Sequence, residues 1–186
     1  MKLVLNRKTS QMQNRSIVLI GLMGVGKTTI GRRLAAALGL VFHDADHEIE
    51  KSAGRSVQDI FADFGEPAFR AGERKVILRL LQEKPCVLAT GGGAFMDQEI
   101  REAIAKHATS IWLRAELDEL VRRTAKRDTR PLLQNGNRRK ILHTLMQERH
   151  PVYAAADLVV DSSEGPHTNT VEAIIQALQK FERPAS

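Results

Sequence analysis

Short apolar runs alternate along the chain with longer stretches in which apolar residues recur at helical spacing. Parallel strands need long crossover connections, so this alternation predicts an α/β fold with a mainly parallel sheet covered by helices on both faces. Ligands are then expected at the carboxyl ends of the strands. The predicted strands are 17–20, 41–42, 87–89, 111–113 and 158–160. The predicted helices are 29–38, 56–64, 67–82, 98–106, 117–126, 138–153 and 170–181.

A glycine-rich loop joins the first predicted strand to the first predicted helix. It reads GLMGVGKT from Gly21 to Thr28 and directly follows the apolar run at 17–20. In such loops the glycines let backbone N–H groups turn toward phosphate oxygens, while the lysine reaches the β- and γ-phosphates and the threonine hydroxyl ligates Mg²⁺. The helix that follows directs its positive end at the anion. Strand, loop and helix together predict a nucleoside triphosphate site; the structural alternative is a glycine-rich turn without a ligand.

Composition narrows the range of partners. The chain has 186 residues and a formal net charge of +6, with a pI of about 9.8. This length fits a single domain, within which 1–14 are expected to form a flexible extension. Lys and Arg are dispersed and aromatic residues are few, which favours small anionic ligands over nucleic acid. No apolar run could span a bilayer and the first residues lack a secretory core, so we expect a cytoplasmic protein without a membrane partner.

Two carboxylates follow the second predicted strand, at Asp44 and Asp46. Alternation along a strand would direct both toward the site that the phosphate-binding loop also faces. Asp44 could hold Mg²⁺ through water, and Asp46 could accept hydrogen bonds from substrate hydroxyls and orient or deprotonate a nucleophile. The alternative for Asp46 is an N-cap of a helix that begins near His47.

Three consecutive glycines, Gly91 to Gly93, follow the third predicted strand. This run predicts close approach of the backbone to a ligand, where N–H groups could bind a carboxylate or phosphate. A flexible loop is the alternative, since loops also use glycine.

A charged, turn-rich segment at 124–137 encloses Leu132 and Leu133 and is interpreted as a mobile lid. In phosphoryl transfer, a lid excludes water and can bring an arginine to the charge that develops on the γ-phosphoryl group. Arg130, followed by Pro131, is the candidate. The alternative is a solvated surface loop.

Six motifs occur in a fixed order along the chain. They are the phosphate-binding loop, Asp44-Ala45-Asp46, Phe69-Arg70, Gly91-Gly92-Gly93, Arg130-Pro131-Leu132-Leu133 and Glu148-Arg149-His150-Pro151-Val152-Tyr153. In order and approximate spacing these motifs resemble those of the shikimate kinases. The resemblance extends from about 15 to 181 and implies a nucleoside-monophosphate-kinase-like, three-layer P-loop fold. Such a fold has a central five-stranded parallel sheet, a substrate-binding helical region and a mobile lid.

The resemblance implies ATP as co-substrate and one Mg²⁺ per subunit, the metal being held by Thr28 and Asp44. Arg123 would stack on adenine, although a solvated helix face is the alternative. The loop 162–166 carries no basic side chain, so only a backbone contact by Gly165 is expected there. The residues assigned to ATP are Gly24, Val25, Gly26, Lys27, Thr28, Thr29, Arg123, Arg130 and Gly165.

The resemblance also implies shikimate as acceptor, bound by Asp46 at its hydroxyls and by Arg70, Arg149 and the Gly92 backbone at its carboxylate. Two guanidinium groups and an N–H suit a carboxylate, whereas without the resemblance both arginines would be interpreted as exposed helix residues. The implied reaction transfers the γ-phosphoryl group of ATP to the shikimate 3-hydroxyl, within the chorismate pathway.

The residues implied in catalysis are Lys27, Asp46 and Arg130, and a monomer is expected. Two alternatives stay open. A gluconate kinase would share the fold, and a catalytically silent nucleotide-binding regulator would keep the loop without turnover.

Overall fold

The chain forms a five-stranded, all-parallel sheet in the order β2-β3-β1-β4-β5. The computed structural model describes residues 14–125, 136–162 and 165–181. The strands are β1 (Ser16–Ile20), β2 (Val41–Asp44), β3 (Cys86–Ala89), β4 (Ala108–Arg114) and β5 (Leu158–Asp161). The helices are α1 (Lys27–Leu38), α2 (Ala45–Ala53), α3 (Val57–Gln82), α4 (Gln98–His107), α5 (Leu117–Ala125), α6 (Arg138–Tyr153) and α7 (His167–Lys180). The predicted α/β architecture with a parallel five-stranded sheet is confirmed.

The central strand β1 fixes where a ligand can bind. Every residue of β1 is buried, as expected for a strand covered on both faces of a parallel sheet. It pairs with β3 on one side, where Leu19 lies opposite Ala89, and with β4 on the other, where Ile20 lies opposite Trp112. The connection from β1 to β2 passes over β3, and the connection from β3 to β4 passes over β1 in the opposite direction. The carboxyl ends of these strands therefore meet at a crevice at one edge of the sheet.

The helix α3 is interrupted, as the sequence pattern predicts. Ser56 is its N-cap, and its hydroxyl accepts a hydrogen bond from the backbone N–H of Asp59 at 3.1 Å. Gly65 breaks the helix with φ 77° and ψ 174°, a conformation that side chains rarely adopt. Pro67 follows, close to the start of the second segment, where its missing N–H costs little. The two predicted helices at 56–64 and 67–82 are these two segments.

Two predicted boundaries are wrong by three residues. Strand β4 begins at Ala108 rather than 111, because Thr109 and Ser110 are polar yet buried. The hydroxyl and backbone N–H of Ser110 both donate to Asp157, which satisfies these polar groups inside the protein. Helix α7 begins at His167 rather than 170, without an N-cap side chain to mark its start.

Much of the predicted lid, including Arg130, lies outside the described residues, as do 1–13 of the predicted extension. Within the described residues, no helix is both long and apolar enough to cross a membrane.

The packing of α1 against the sheet gives a stability prediction at Gly31. A Cβ added there would lie 2.5 Å from Phe42 Cε2 and 3.2 Å from Leu19 Cδ1, so the ring and the helix would have to separate. We expect Gly31→Ala to lower the free energy of unfolding by about 1–3 kcal/mol, as overpacking does. Urea denaturation measures this change.

Gly72 supplies the matched control, because it is also helical but an added Cβ there would meet nothing within 4 Å. Gly72→Ala is expected to stabilise the protein by about 0.5–1 kcal/mol through helix propensity and a less flexible unfolded chain. Equal effects of the two substitutions would show that the tight contact at Gly31 does not limit stability.

Candidate functional site

A cavity of about 430 Å³ opens where β1, β2 and β3 end. Its volume is within the range of small-molecule sites. The glycine-rich loop and the start of α1 line one side, and residues of α3, α6 and the Gly91–Gly93 run line the other. Phe61 and Phe69 supply an apolar wall, with ring centroids 4.7 Å apart. Phe64 lies away from this wall, exposed beside Arg55.

The glycine-rich loop has the backbone that its sequence predicts. Gly24 and Gly26 have φ values of 84° and 99°, in the region that favours glycine. A Cβ added at Gly24 would lie 2.7 Å from Thr124 Cγ2, so this position is also sterically closed. Lys27 Nζ donates to the carbonyl oxygens of Gly21 and Leu22, at 2.7 and 3.0 Å. The lysine therefore lies along the loop that is expected to bind phosphates.

The acid pair lies beside this loop, with a local structure that differs from the prediction. Asp44 ends β2 and is itself the N-cap of α2, since its Oδ1 accepts from the N–H of Asp46 at 3.1 Å. The alternative that made Asp46 the N-cap is wrong, because α2 begins at Ala45 and places Asp46 in its first turn. Both acids line the cavity through a helix start rather than through strand alternation. Asp44 Oδ2 accepts from the Thr28 hydroxyl at 2.7 Å, which joins the acid pair to the loop.

Gly91, Gly92 and Gly93 leave room for charged side chains. A Cβ at Gly91 would lie 2.5 Å from Glu73 Oε1, and one at Gly93 would lie 2.5 Å from Arg70 Nη2. A Cβ at Gly92 would lie 3.1 Å from an Arg149 guanidinium nitrogen. None of the three has a positive φ. Glycine is therefore required in this run because charged side chains pack closely against it. The predicted approach of the backbone to a ligand stays a prediction.

Glu73 is the most deeply buried charged group of the site, with 1% of its surface exposed. Its Oε2 accepts from Arg70 Nη1 at 2.7 Å, and Arg70 also donates to Glu66. Its Oε1 has no hydrogen-bond partner among the described residues. Burial raises the pKa of the Glu73 carboxyl, Arg70 opposes this rise and the charge of Asp46 adds to it. A buried acceptor without a partner thus lies in the cavity wall, close to Asp46.

Arg149 enters the same region from α6. It is buried, with 8% of its surface exposed, and its charge lowers the pKa of Glu73. One turn later, the fully buried Tyr153 donates its hydroxyl to the Gly92 carbonyl and so joins α6 to the glycine run. Burial raises the pKa of Tyr153, which keeps its hydroxyl protonated. Arg70 and Arg149 therefore converge on the glycine run from two different helices.

Arg123 borders the cavity at the other end of the loop. Its Nη1 donates to the Val25 carbonyl at 3.2 Å and to Ser162 Oγ at 3.0 Å. Its Nε donates to Glu119, a buried carboxylate that also binds Arg122. Burial alone would raise the pKa of Glu119, but hydrogen bonds from Arg122 and Arg123 lower it. Arg123 is therefore fixed in place rather than extended on a solvated helix face.

Most of the residues assigned from the sequence meet in this one cavity. Val25 does not line it, because its side chain is buried and its carbonyl faces Arg123 and Ser162. Gly165 is exposed, with φ 129°, and does not line the cavity formed by the described residues; its contact stays a prediction. The assigned residues in the cavity wall are Gly24, Gly26, Lys27, Thr28, Thr29, Asp44, Asp46, Arg70, Gly92, Arg123 and Arg149.

Three polar residues of the wall were not assigned from the sequence, Glu73, Thr90 and His167. The spacing of Arg70 and Glu73, three residues apart on a helix, predicts an ion pair but not its burial. His167 follows Pro166 at the start of α7, and nothing in the sequence pattern relates it to the glycine-rich loop.

The donor set suits a magnesium ion accompanied by nucleotide phosphates. Thr28 and Asp44 place a hydroxyl and a carboxylate oxygen 2.7 Å apart at the edge of the loop. Mg²⁺ is typically bound through one or two carboxylates with water and substrate phosphates, so a larger cluster is not needed. Among the described residues, no group of three or more His, Cys, Asp or Glu could form a metal cage.

Comparisons with known proteins relate the chain to one family. A family model described as Shikimate kinase matches residues 23–179. A shikimate kinase from Caulobacter vibrioides is 53% identical over 166 residues, covering 89% of this chain and 83% of that protein. The structure of a shikimate kinase from Acinetobacter baumannii in complex with shikimate superposes with a TM-score of 0.88, at 35% identity over 94% of this chain and 99% of the other.

A gluconokinase from Sinorhizobium meliloti superposes with a TM-score of 0.59 at 20% identity, covering 89% of this chain and 92% of that chain, and this likeness shows the fold alone. The family match covers the phosphate-binding loop from Met23 onward, together with the acid pair and the two arginines at the glycine run. The chain therefore belongs to the shikimate kinase family.

Proposed function

We propose that this protein transfers the γ-phosphoryl group of Mg²⁺-ATP to the 3-hydroxyl of shikimate, giving shikimate 3-phosphate and ADP. The observation that carries the proposal is the convergence of Arg70 and Arg149 on Gly92 and Gly93, across one cavity from the phosphate-binding loop. A small hydroxylated carboxylic acid could bind between the two arginines and the phosphate-binding loop, with its carboxylate at the arginines. We also propose that the protein is a monomer, as the family resemblance implies, and that it works in the cytoplasm.

The carboxylate of shikimate is assigned to Arg70, Arg149 and the N–H of Gly92. Guanidinium groups bind carboxylates through paired, charge-assisted hydrogen bonds, and two of them fix the orientation of the ring. Hydrogen bonds to Glu73 and Glu66 hold the Arg70 guanidinium in place, so this arginine is positioned before the substrate arrives. Such positioning lowers the entropic cost of binding.

The hydroxyl groups of shikimate are assigned to Asp46. From the first turn of α2, this carboxylate can accept a hydrogen bond from the attacking hydroxyl and hold it in line with the phosphoryl group. The free oxygen of Glu73 lies near Asp46 and offers a second acceptor on the same side of the cavity. Positioning and charge stabilisation, rather than covalent chemistry, are the expected sources of the rate.

The phosphates of ATP are assigned to the loop from Gly24 to Thr29, with Lys27 reaching the β- and γ-phosphates. Thr28 and Asp44 would hold Mg²⁺, which when bound balances the charge of the phosphates. Arg123, held by Glu119, is assigned to the adenine ring. Arg130 stays a prediction for the γ-phosphoryl group.

The acceptor is tested by a coupled assay of ADP release with Mg²⁺-ATP and shikimate, gluconate or no acceptor. We expect rapid turnover with shikimate only, because Phe61 and Phe69 offer an apolar wall to a six-membered ring, whereas open-chain gluconate has the carboxylate but no ring to pack there. Turnover with gluconate alone would overturn the acceptor while keeping the fold. Nucleotide binding without turnover on either acid would indicate a regulator.

Arg149→Lys tests the carboxylate site, because it keeps the charge but removes the planar fork. We expect the KM for shikimate to rise about 10- to 100-fold, the range of one or more charge-assisted hydrogen bonds, with little change in the KM for ATP. Steady-state kinetics with each substrate varied in turn measures the split. Glu148→Gln, an exposed neighbour on α6, is the control, and equal rises in both KM values would contradict the assignment.

Asp46→Asn tests the role of the acid at the attacking hydroxyl. The amide keeps the size of the side chain but is a poor proton acceptor, so kcat should fall about 10²- to 10⁴-fold while ADP binding is kept. Kinetics gives kcat, and calorimetry with ADP gives the affinity. Asp63→Asn, an exposed acid on α3, should leave both unchanged. Near-normal turnover of Asp46→Asn would exclude a catalytic role.

A further inference from the structure

Each carbonyl oxygen of the glycine run accepts a hydrogen bond from the protein. The Gly91 carbonyl accepts from the backbone N–H of Ala94 at 3.2 Å, and the Gly93 carbonyl accepts from the N–H of Met96 at 3.0 Å. Both bonds belong to the short turn that follows the run. The hydrogen bond to the Gly92 carbonyl differs, because its donor comes from a distant part of the chain.

Tyr153 supplies this donor from the end of α6. Its ring is fully buried and packs against Phe95, Trp112 and His150, with ring centroids between 5.9 and 6.4 Å from its own. Tyr153 does not line the cavity, whereas Gly92 does. The carbonyl that binds the Tyr153 hydroxyl is therefore turned away from the cavity.

The N–H of Gly93 points away from Tyr153. It shares a peptide plane with the Gly92 carbonyl, and in a trans peptide these two groups point in opposite directions. Among the residues that the structure describes, no acceptor binds the N–H of Gly92 or of Gly93, although both glycines line the cavity. The run thus offers donors to a ligand and keeps its carbonyl oxygens on protein donors.

The positive charges beside this peptide favour the opposite orientation. A Cβ at Gly92 would lie 3.1 Å from an Arg149 guanidinium nitrogen, and one at Gly93 would lie 2.5 Å from Arg70 Nη2. A peptide between two glycines rotates easily, since neither residue has a Cβ that restricts its φ and ψ. After such a rotation the Gly92 carbonyl oxygen would face the two guanidinium groups and occupy the place of an anionic ligand. A fixed donor on the other side opposes this.

We propose that Tyr153 is a positioning residue for the acceptor site, which holds the Gly92 carbonyl away from the cavity and so keeps the two guanidinium groups and the N–H groups of the run free for a carboxylate. The inference rests on the proposed function and adds a residue that does not touch the substrate. Because Tyr153 acts through the peptide between Gly92 and Gly93, it should affect binding of the acceptor and leave binding of the nucleotide unchanged.

Tyr153→Phe tests the proposal, because it removes the hydroxyl and keeps the buried ring. We expect the KM and the Kd for shikimate to rise about 5- to 30-fold, the range for leaving a buried carbonyl without its donor. The KM for ATP, the Kd for ADP and kcat should stay unchanged. Steady-state kinetics with each substrate varied in turn and calorimetry with shikimate and with ADP measure this split. Retained affinity for ADP also shows that the variant is folded.

Ser110→Ala is the matched control, because it removes another buried hydroxyl, which donates to Asp157 at 2.7 Å and does not line the cavity. It should lose stability in urea but bind shikimate as the unsubstituted protein does. A similar rise in the KM for shikimate in both variants would overturn the proposal, since it would show a general effect of lost stability. Equal rises in both KM values of Tyr153→Phe, or an unchanged Kd for shikimate, would overturn it as well.

Calorimetry of the unsubstituted protein with shikimate separates this proposal from the proposed function. If shikimate binds without turnover and the predicted split in Kd appears, the role of Tyr153 stands and the proposed transfer is wrong. If shikimate binds and turns over but Tyr153→Phe binds it equally well, only the role of Tyr153 fails. If the unsubstituted protein does not bind shikimate, both proposals fail.

Discussion

The burial of the Glu73 carboxylate is the constraint on which the acceptor side of the cavity depends. A buried charge is costly unless neighbouring charges and hydrogen bonds compensate for it. Arg70 supplies a direct ion pair and Arg149 a second positive charge, so both arginines are drawn to one place from different helices. Their approach in turn requires that Gly91 and Gly93 have no side chains, because a Cβ at either would meet the carboxylate or a guanidinium. One buried acid thereby accounts for the closeness of the two guanidinium groups and for the lack of side chains at Gly91 and Gly93.

The nucleotide side follows a different principle, in which backbone rather than buried charge forms the site. The left-handed Gly24 and Gly26 shape the loop, and the end of β1 and the start of α1 fix its two ends. The hydrogen bond from Thr28 to Asp44 connects this loop to the start of α2, from which Asp46 faces the acceptor side. The two halves of the cavity are therefore joined by a short path of side chains, and this path coincides with the expected metal site.

The sequence predicts the parts of this arrangement that have a local signature. The succession of strands and helices along the chain, the phosphate-binding loop and the helix break near Gly65 all follow from periodicity and turn chemistry. Burial of polar groups does not, since Ser110 looks like a surface residue until its distant partner Asp157 is known, and the spacing of Arg70 and Glu73 predicts their ion pair but not its burial. Without the family resemblance, Arg149 also looks like an exposed helix residue, although it is almost fully buried. The sequence predicts that Asp44 and Asp46 face one cavity, and they do. The predicted reason, alternation along a strand, is wrong, because Asp44 caps a helix and Asp46 lies in the first turn of that helix.

The two halves also differ in how ready they are for their ligands. On the acceptor side, Arg70 is already held by Glu66 and Glu73, and Tyr153 already holds the Gly92 carbonyl. On the nucleotide side, the Lys27 ammonium group donates to Gly21 and Leu22 of its own loop. If Lys27 binds the β- and γ-phosphates as proposed, it exchanges these carbonyl oxygens for phosphate oxygens, and binding of ATP then includes a rearrangement that binding of the acid does not require. Because Thr28 is the residue after Lys27 and contacts Asp44, this rearrangement takes place beside the acid pair that faces the acceptor.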